Sequence, residues 1–203
     1  MVTQLPLDGA PLVKNGPTGV TTRLARDDEA ETLCQIERSA AQAFRLIEAF
    51  SWLSVGDVQS AETHRRLTAA GTNWVAADDG DRPLGFLSAE ITGRDLHICE
   101  VSVGHLHQGF GLGRTLIEHA IEYAAARGLD AVTLTTFRTI PWNCPFYERL
   151  GFRILEDGEL SPRLLEIMDR EDADGLSRDT RCAMRLDFRG AKDGAETGAA
   201  CIR

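Results

Sequence analysis

Gln108-Gly109-Phe110-Gly111-Leu112-Gly113-Arg114 is the stretch of this 203-residue chain best equipped for chemistry. Its glycines strip Cβ atoms from the main chain, and a helical pattern begins directly behind them at Leu112. A helix start presents unpaired backbone N–H groups and about half a positive charge. A glycine-rich entry to it therefore suits a bulky anion such as a pyrophosphate, held by main-chain amides without a basic patch. Three kinds of anion loop compete. A P-loop needs Gly-Lys-Ser/Thr at the helix start, and Gly113-Arg114-Thr115 departs from it, with the first glycine misplaced. A dinucleotide-binding turn needs a third glycine where Arg114 stands. A Gln/Arg-x-x-Gly-x-Gly/Ala loop is matched by Gln108, Gly111 and Gly113.

Two acid–base groups lie on the strand before the loop. Glu100 is a carboxylate in mid-strand, and burying it is costly without a role or a partner. His97 falls at the other parity, on the face of Val101 and Val103, with Ile98, Glu100 and Ser102 opposite. As a general base the two are alternatives unless a bulge intervenes. His105 and His107 flank the loop. With His64 and His119 they have no metal-helix spacing, so no metal is expected. The five cysteines, Cys34, Cys99, Cys144, Cys182 and Cys201, are odd in number and widely spaced, without C-x-x-C. Reduced thiols and a cytoplasmic location are expected rather than a disulfide framework.

The elements that must position these groups follow from periodicity. Val20 to Ala25 reads as a strand. A helix capped at Asp27 or Asp28 carries Ala30, Leu33, Cys34, Glu37, Ala40, Ala41 and Phe44 near one stripe. Phe50 to Asp57 fits neither period. Ser60 caps a second helix that stops at Gly71. Asn73–Ala77, Leu84–Ile91 and Leu96–Val103, joined by tight turns, form an antiparallel meander. A helix from Leu112 to Arg127 and a strand from Ala131 to Thr136 then complete a strand–helix–strand unit, which requires a parallel pair. Cys144–Leu150 is a short helix, Phe152–Leu155 a strand, Pro162–Arg170 a helix and Cys182–Phe188 the last strand. The class is mixed α/β with one central sheet.

Apolar residues make up 43% of the chain and charged residues 26%, which places it among globular proteins. One domain is expected over residues 19–189, with a flexible leader at 1–18 and a disordered tail at 190–203. The formal charge of −9 argues against nucleic-acid partners and anionic membranes. No apolar run reaches the ~18 residues of a membrane span, and the start lacks a signal-peptide pattern. Eight acids lie between Glu156 and Asp174. If that segment folds over a binding mouth, it favours a cationic amine.

Over about residues 20 to 188 the chain resembles the GNAT superfamily of acyl-CoA-dependent N-acetyltransferases. The resemblance rests on the strand ending Ser102-Val103, the Gln108–Gly113 loop opening a helix, and Asn143-Cys144-Pro145-Phe146-Tyr147-Glu148-Arg149-Leu150-Gly151-Phe152, similar to the family's Asn…Phe-Tyr…Gly-Phe motif. It departs from many members in having Gly104-His105-Leu106, not His-Pro, after the strand. It implies a mostly antiparallel sheet splayed at a parallel strand pair, with acetyl-CoA entering the gap. The pyrophosphate would sit on the amides of Gly109, Phe110, Gly111, Leu112, Gly113 and Arg114. The pantetheine arm would pair with backbone of Val101, Ser102 and Val103, and the Val103 or Val101 amide would polarise the thioester. Asn143 and Phe146 would border the cofactor, Tyr147 would be the general acid, and Glu100 or His97 the base. Acyl transfer through Cys144 lacks a His-Asp partner, so direct transfer is expected. Arg138, Pro141 and Trp142 would border the substrate mouth, with Phe50 and Trp52 on the opposite wall. The acceptor would be a small amine or a peptide or protein amino group. A homodimer fits the family. The alternative is a non-catalytic acyl-CoA-binding module, which needs the loop but neither Glu100 nor Tyr147.

Overall fold

The structure, a computed structural model, describes residue 17 and residues 19–140 and 143–188. The expected leader, except Pro17, and the expected tail lie outside the described residues, as do Pro141, Trp142 and Cys201.

Among the described residues seven strands form one sheet: β1 (Thr21–Leu24), β2 (Asn73–Ala77), β3 (Pro83–Thr92), β4 (Asp95–Val103), β5 (Ala131–Phe137), β6 (Arg153–Ile154) and β7 (Arg181–Asp187). Their order is β1-β2-β3-β4-β5-β7-β6, and only β4 and β5 run parallel. This is the predicted mixed sheet, with β7 inserted between β5 and the short β6. Among the described residues five helices flank it: α1 (Ala30–Ala40), α2 (Ala61–Ala69), α3 (Leu112–Ala126), α4 (Cys144–Glu148) and α5 (Pro162–Ala173). The Ser60 hydroxyl accepts the Thr63 amide at the start of α2, as its sequence position predicts.

On one face, Leu116, Ile117, Ala120 and Ala124 of α3 pack against Leu87, Leu96, Ile98, Val101 and Val103. On the other, Leu33 and Ile36 of α1 meet Val75 and Phe86, and Leu164 and Met168 of α5 meet Ala183. The predicted first helix stops early. Beyond Ala40 the chain tightens into 3-10 turns over Ala41–Leu46 and Glu48–Val55, which carry Phe44, Phe50 and Leu53 across the end of the sheet onto Phe137 and Ile140.

Two irregularities shape the centre. Ser88 pairs with Glu100 but Ala89 pairs with Ile98, so Cys99 is an extra residue in β4. The bulge reverses side-chain parity beyond it. Leu96, Ile98, Val101 and Val103 therefore share the α3 face, while His97, Glu100 and Ser102 share the opposite one. The expectation that His97 lies with Val101 and Val103 is corrected by that one residue. The parallel pairing also ends at Ile98–Leu134, although β4 runs on to Val103 and β5 to Phe137. The sheet splits there.

Candidate active site

The split opens into a cavity of about 300 Å³. Its floor is Ile98–Ser102 of β4 and Leu134–Phe137 of β5. Glu37, Ala40 and Phe44 come from α1 and the turn behind it. Asn143, directly before α4, and Tyr147 of α4 join them, and Glu171 and Arg181 close the far side.

The glycine loop stands at the end of β4. Gly109 and Gly111 have φ of +88° and +85°, a left-handed backbone natural to glycine, and no atom lies within 4 Å of where a Cβ would be on either. The open surface left by both positions lies beside the start of the 15-residue helix α3. Val103, Gln108, Gly109, Gly111, Leu112 and Gly113 line a small hollow here. The arrangement fits an anion on main-chain amides. The Gln108 side chain donates to the Val103 carbonyl at 3.0 Å and the Ala40 carbonyl at 3.4 Å. It thus clamps the loop to β4 and α1. Arg114 is exposed and pairs with Glu118 at 2.8 Å. Phe110 turns the other way, into a surface hollow with His105, Leu106 and His107.

Glu100 lines the cavity, and its Oε1 accepts from the Ser102 hydroxyl at 2.8 Å. Tyr147 is 7% exposed and lines the same space, between Phe146 and Phe152 with ring centroids 5.2 and 5.8 Å away. Its hydroxyl has no hydrogen-bond partner among the described residues. Burial, reinforced by the charge of Glu100, pushes the phenol above its ordinary range, so it keeps its proton at neutral pH. Asn143 is buried and donates to the Thr136 hydroxyl at 3.2 Å, fixing the start of α4 on β5.

His97 shares the face of Glu100 but lies outside the cavity lining. Its Nδ1 meets the Thr133 hydroxyl at 3.0 Å, and burial pushes the imidazole down to about 4. Cys144 is also outside the lining. It donates to the Phe137 carbonyl at 3.6 Å and rests 3.3 Å from the Cys182 sulfur. All four cysteines of the described residues are unpaired thiols. Of the eight acids between Glu156 and Asp174, Glu171 alone lines the cavity, and it is tied to Arg181. Phe50 packs on Phe137 at 4.8 Å, behind the lining, and Trp52 is 44% exposed.

Glu37 is the cavity residue that sequence reasoning did not single out. Its Oε2 accepts the Gln59 amide at 3.1 Å. Burial, then repulsion from Glu100, pushes its carboxyl up to about 8. A signal was present, because a carboxylate on the apolar stripe of an amphipathic helix is costly unless it has a use.

A sequence model described as the Acetyltransferase (GNAT) family matches residues 33–152. Solved structures share the fold at low identity. The PaiA N-acetyltransferase from Thermoplasma acidophilum, in complex with coenzyme A, is 15% identical with a TM-score of 0.61, over 84% of this chain and 100% of that one. Rv2747 from Mycobacterium tuberculosis, also in complex with coenzyme A, is 18% identical with a TM-score of 0.59, over 83% and 99%. The ribosomal-protein-S18-alanine N-acetyltransferase from Escherichia coli is 19% identical with a TM-score of 0.56, over 86% and 97%.

Proposed function

The chain belongs to the GNAT acetyltransferase family, and from that premise we propose that it transfers an acetyl group from acetyl-CoA directly to a primary amine. One observation carries the reading: Glu100 and Tyr147 face a single cavity at the point where β4 and β5 part. The family resemblance and the coenzyme A bound to two fold neighbours support the choice of donor.

Acetyl-CoA supplies a thioester, an activated acyl group on a good leaving group. In this proposal the amides of Gly109 to Arg114 hold its pyrophosphate, with Gln108 positioning the loop. The backbone of Val101, Ser102 and Val103 aligns the pantetheine arm, and the Val103 or Val101 amide polarises the carbonyl. Asn143 and Phe146 border the arm. Glu100 takes the proton that the ammonium must lose before it becomes a nucleophile, Tyr147 gives a proton to the departing thiolate, and the second proton shed by the nitrogen restores the phenol. A C–N bond forms as the C–S bond breaks. Of the two candidate bases, Glu100 is preferred over His97, because only Glu100 lines the cavity. Cytoplasmic action and a homodimer belong to the same proposal. The second is read by light scattering in solution.

The test pairs calorimetry of acetyl-CoA binding with release of free coenzyme A over a panel of amines. Glu100→Gln and Tyr147→Phe should each lower turnover about 10²-fold while leaving acetyl-CoA affinity in place. Near-normal rates in both remove those roles. Binding without release on any amine favours the non-catalytic module, and absence of binding removes the donor assignment.

A further inference from the structure

We propose that the acceptor is a small primary amine on an apolar body and without a carboxylate, its ammonium seated between Glu37 and Glu100. This rests on the acetyltransferase reading above and deepens it.

Three features of the cavity carry the inference. The first is its balance of charge. Glu37, Asp57, Glu100 and Glu171 all line it, whereas Arg181 is the only cation among the described lining residues. That arginine is already committed: it holds Glu171 through two hydrogen bonds of 2.6 and 2.9 Å, reaches the Thr135 hydroxyl at 3.1 Å, and lies over the Phe137 ring at 4.5 Å. With Glu171 and Arg181 cancelling, the remaining charge of the described lining residues is negative, and among them no side-chain cation is left for an acceptor carboxylate. An acceptor carrying one would bury it unpaired among acids, which is strongly unfavourable.

The second feature is the form of the two carboxylates. Glu37 uses one oxygen on the Gln59 amide and Glu100 one oxygen on the Ser102 hydroxyl, so each retains a second oxygen for a donor. Asp57, Arg38 and the Gln59 amide are among the polar groups around Glu37. The mutual repulsion that raises the Glu37 carboxyl is relieved when an ammonium stands between the pair. The unpartnered phenol of Tyr147, nine-tenths buried, lines the same space.

The third feature is the wall on the side of the 3-10 turns. Phe44, Leu53, Phe137 and Leu176 line it, backed by Phe50 and Ile140. Such a wall solvates a hydrocarbon or aryl body. It offers little to the repeated amides of a peptide or the second charge of a polyamine. At about 300 Å³ the space admits a small molecule.

The test measures coenzyme A release with 2-phenylethylamine, phenylalanine, spermidine and an alanine-terminated peptide, beside calorimetry of acetyl-CoA binding. The expected result is kcat/KM for 2-phenylethylamine at least ~10²-fold above that for phenylalanine, its carboxylate-bearing counterpart. Glu37→Gln should raise KM for the amine ~10-fold or more and leave acetyl-CoA affinity unchanged, and Glu37→Asp should recover part of the loss. Comparable turnover of phenylalanine, an unchanged KM in Glu37→Gln, or release only with spermidine or the peptide overturns this proposal while the acetyltransferase reading stands. Loss of acetyl-CoA binding, or binding without release on every amine, overturns both.

Discussion

Replacing Glu37 with glutamine should change how stability depends on pH. The unfolded carboxyl titrates at about 4.3. In the fold it is pushed up to about 8 by burial and by Glu100. At a pH below both values each state is protonated and the group contributes no difference. As pH rises between them, the unfolded chain gives up the proton first, so the native state loses stability, and the loss is complete above about pH 8. The full shift of nearly four pH units corresponds to a ceiling of about 5 kcal/mol. Glu37 is only half-buried and keeps the Gln59 amide, so solvent screening should leave about 1–3 kcal/mol of it. Glutamine retains a carbonyl oxygen for that amide and cannot ionise. Urea unfolding of both proteins from about pH 3 to about pH 9 should give nearly equal stabilities at the acid end and a variant more stable by that amount at the alkaline end. Glu100→Gln should flatten the same slope by removing the repelling charge. A difference that does not vary with pH, or one that favours the parent at high pH, would refute the reasoning.

Other perturbations probe the frame around the site. Gly85→Ala puts a Cβ 2.9 Å from the Ser102 carbonyl and 3.0 Å from the Val103 side chain. It should cost about 1–3 kcal/mol in urea unfolding and weaken acetyl-CoA binding by displacing the end of β4. Arg181→Ala leaves Glu171 beside the cavity without its cation and should destabilise by about 3 kcal/mol, whereas Arg181→Ala combined with Glu171→Ala should recover much of that. Gly111→Ala meets no atom, so its cost is the left-handed backbone alone, about 1 kcal/mol in thermal or urea unfolding. Calorimetry should then report weaker acetyl-CoA binding, because the new Cβ occupies the open surface.

The course of the core elements was legible because each is written in a local period. The meander β2 to β4, the helix α3 behind its glycines and the strand β5 follow from alternation, turn residues and helical spacing. Their order then demands one parallel pair. Leu112 to Ala126 could be read within a residue because Gly111 and Gly128 mark its ends in the sequence itself. The 3-10 turns from Ala41 to Val55 were opaque. Their path is set by Phe44, Phe50 and Leu53 reaching Phe137, about ninety residues away in the chain, and not by a repeat of their own.

The glycine loop is a property of the sequence alone, because glycines before a helix act through local backbone geometry and through amides that every residue carries. So is the Asn143-to-Phe152 motif that, with the loop, carries the family resemblance. The acid–base geometry depended on tertiary structure. No local signal marks Cys99 as the residue left out of pairing, yet that bulge decides that Glu100 and His97 share a face. Whether a carboxylate is solvated or repelled depends on what faces it, and Glu37 meets Glu100 only when α1 lies across the split sheet. Likewise Arg181 is a cation by sequence, but its bonds to Glu171 and Thr135 remove it from the balance of the cavity. Charge in a site is a sum over neighbours, and the fold chooses the neighbours.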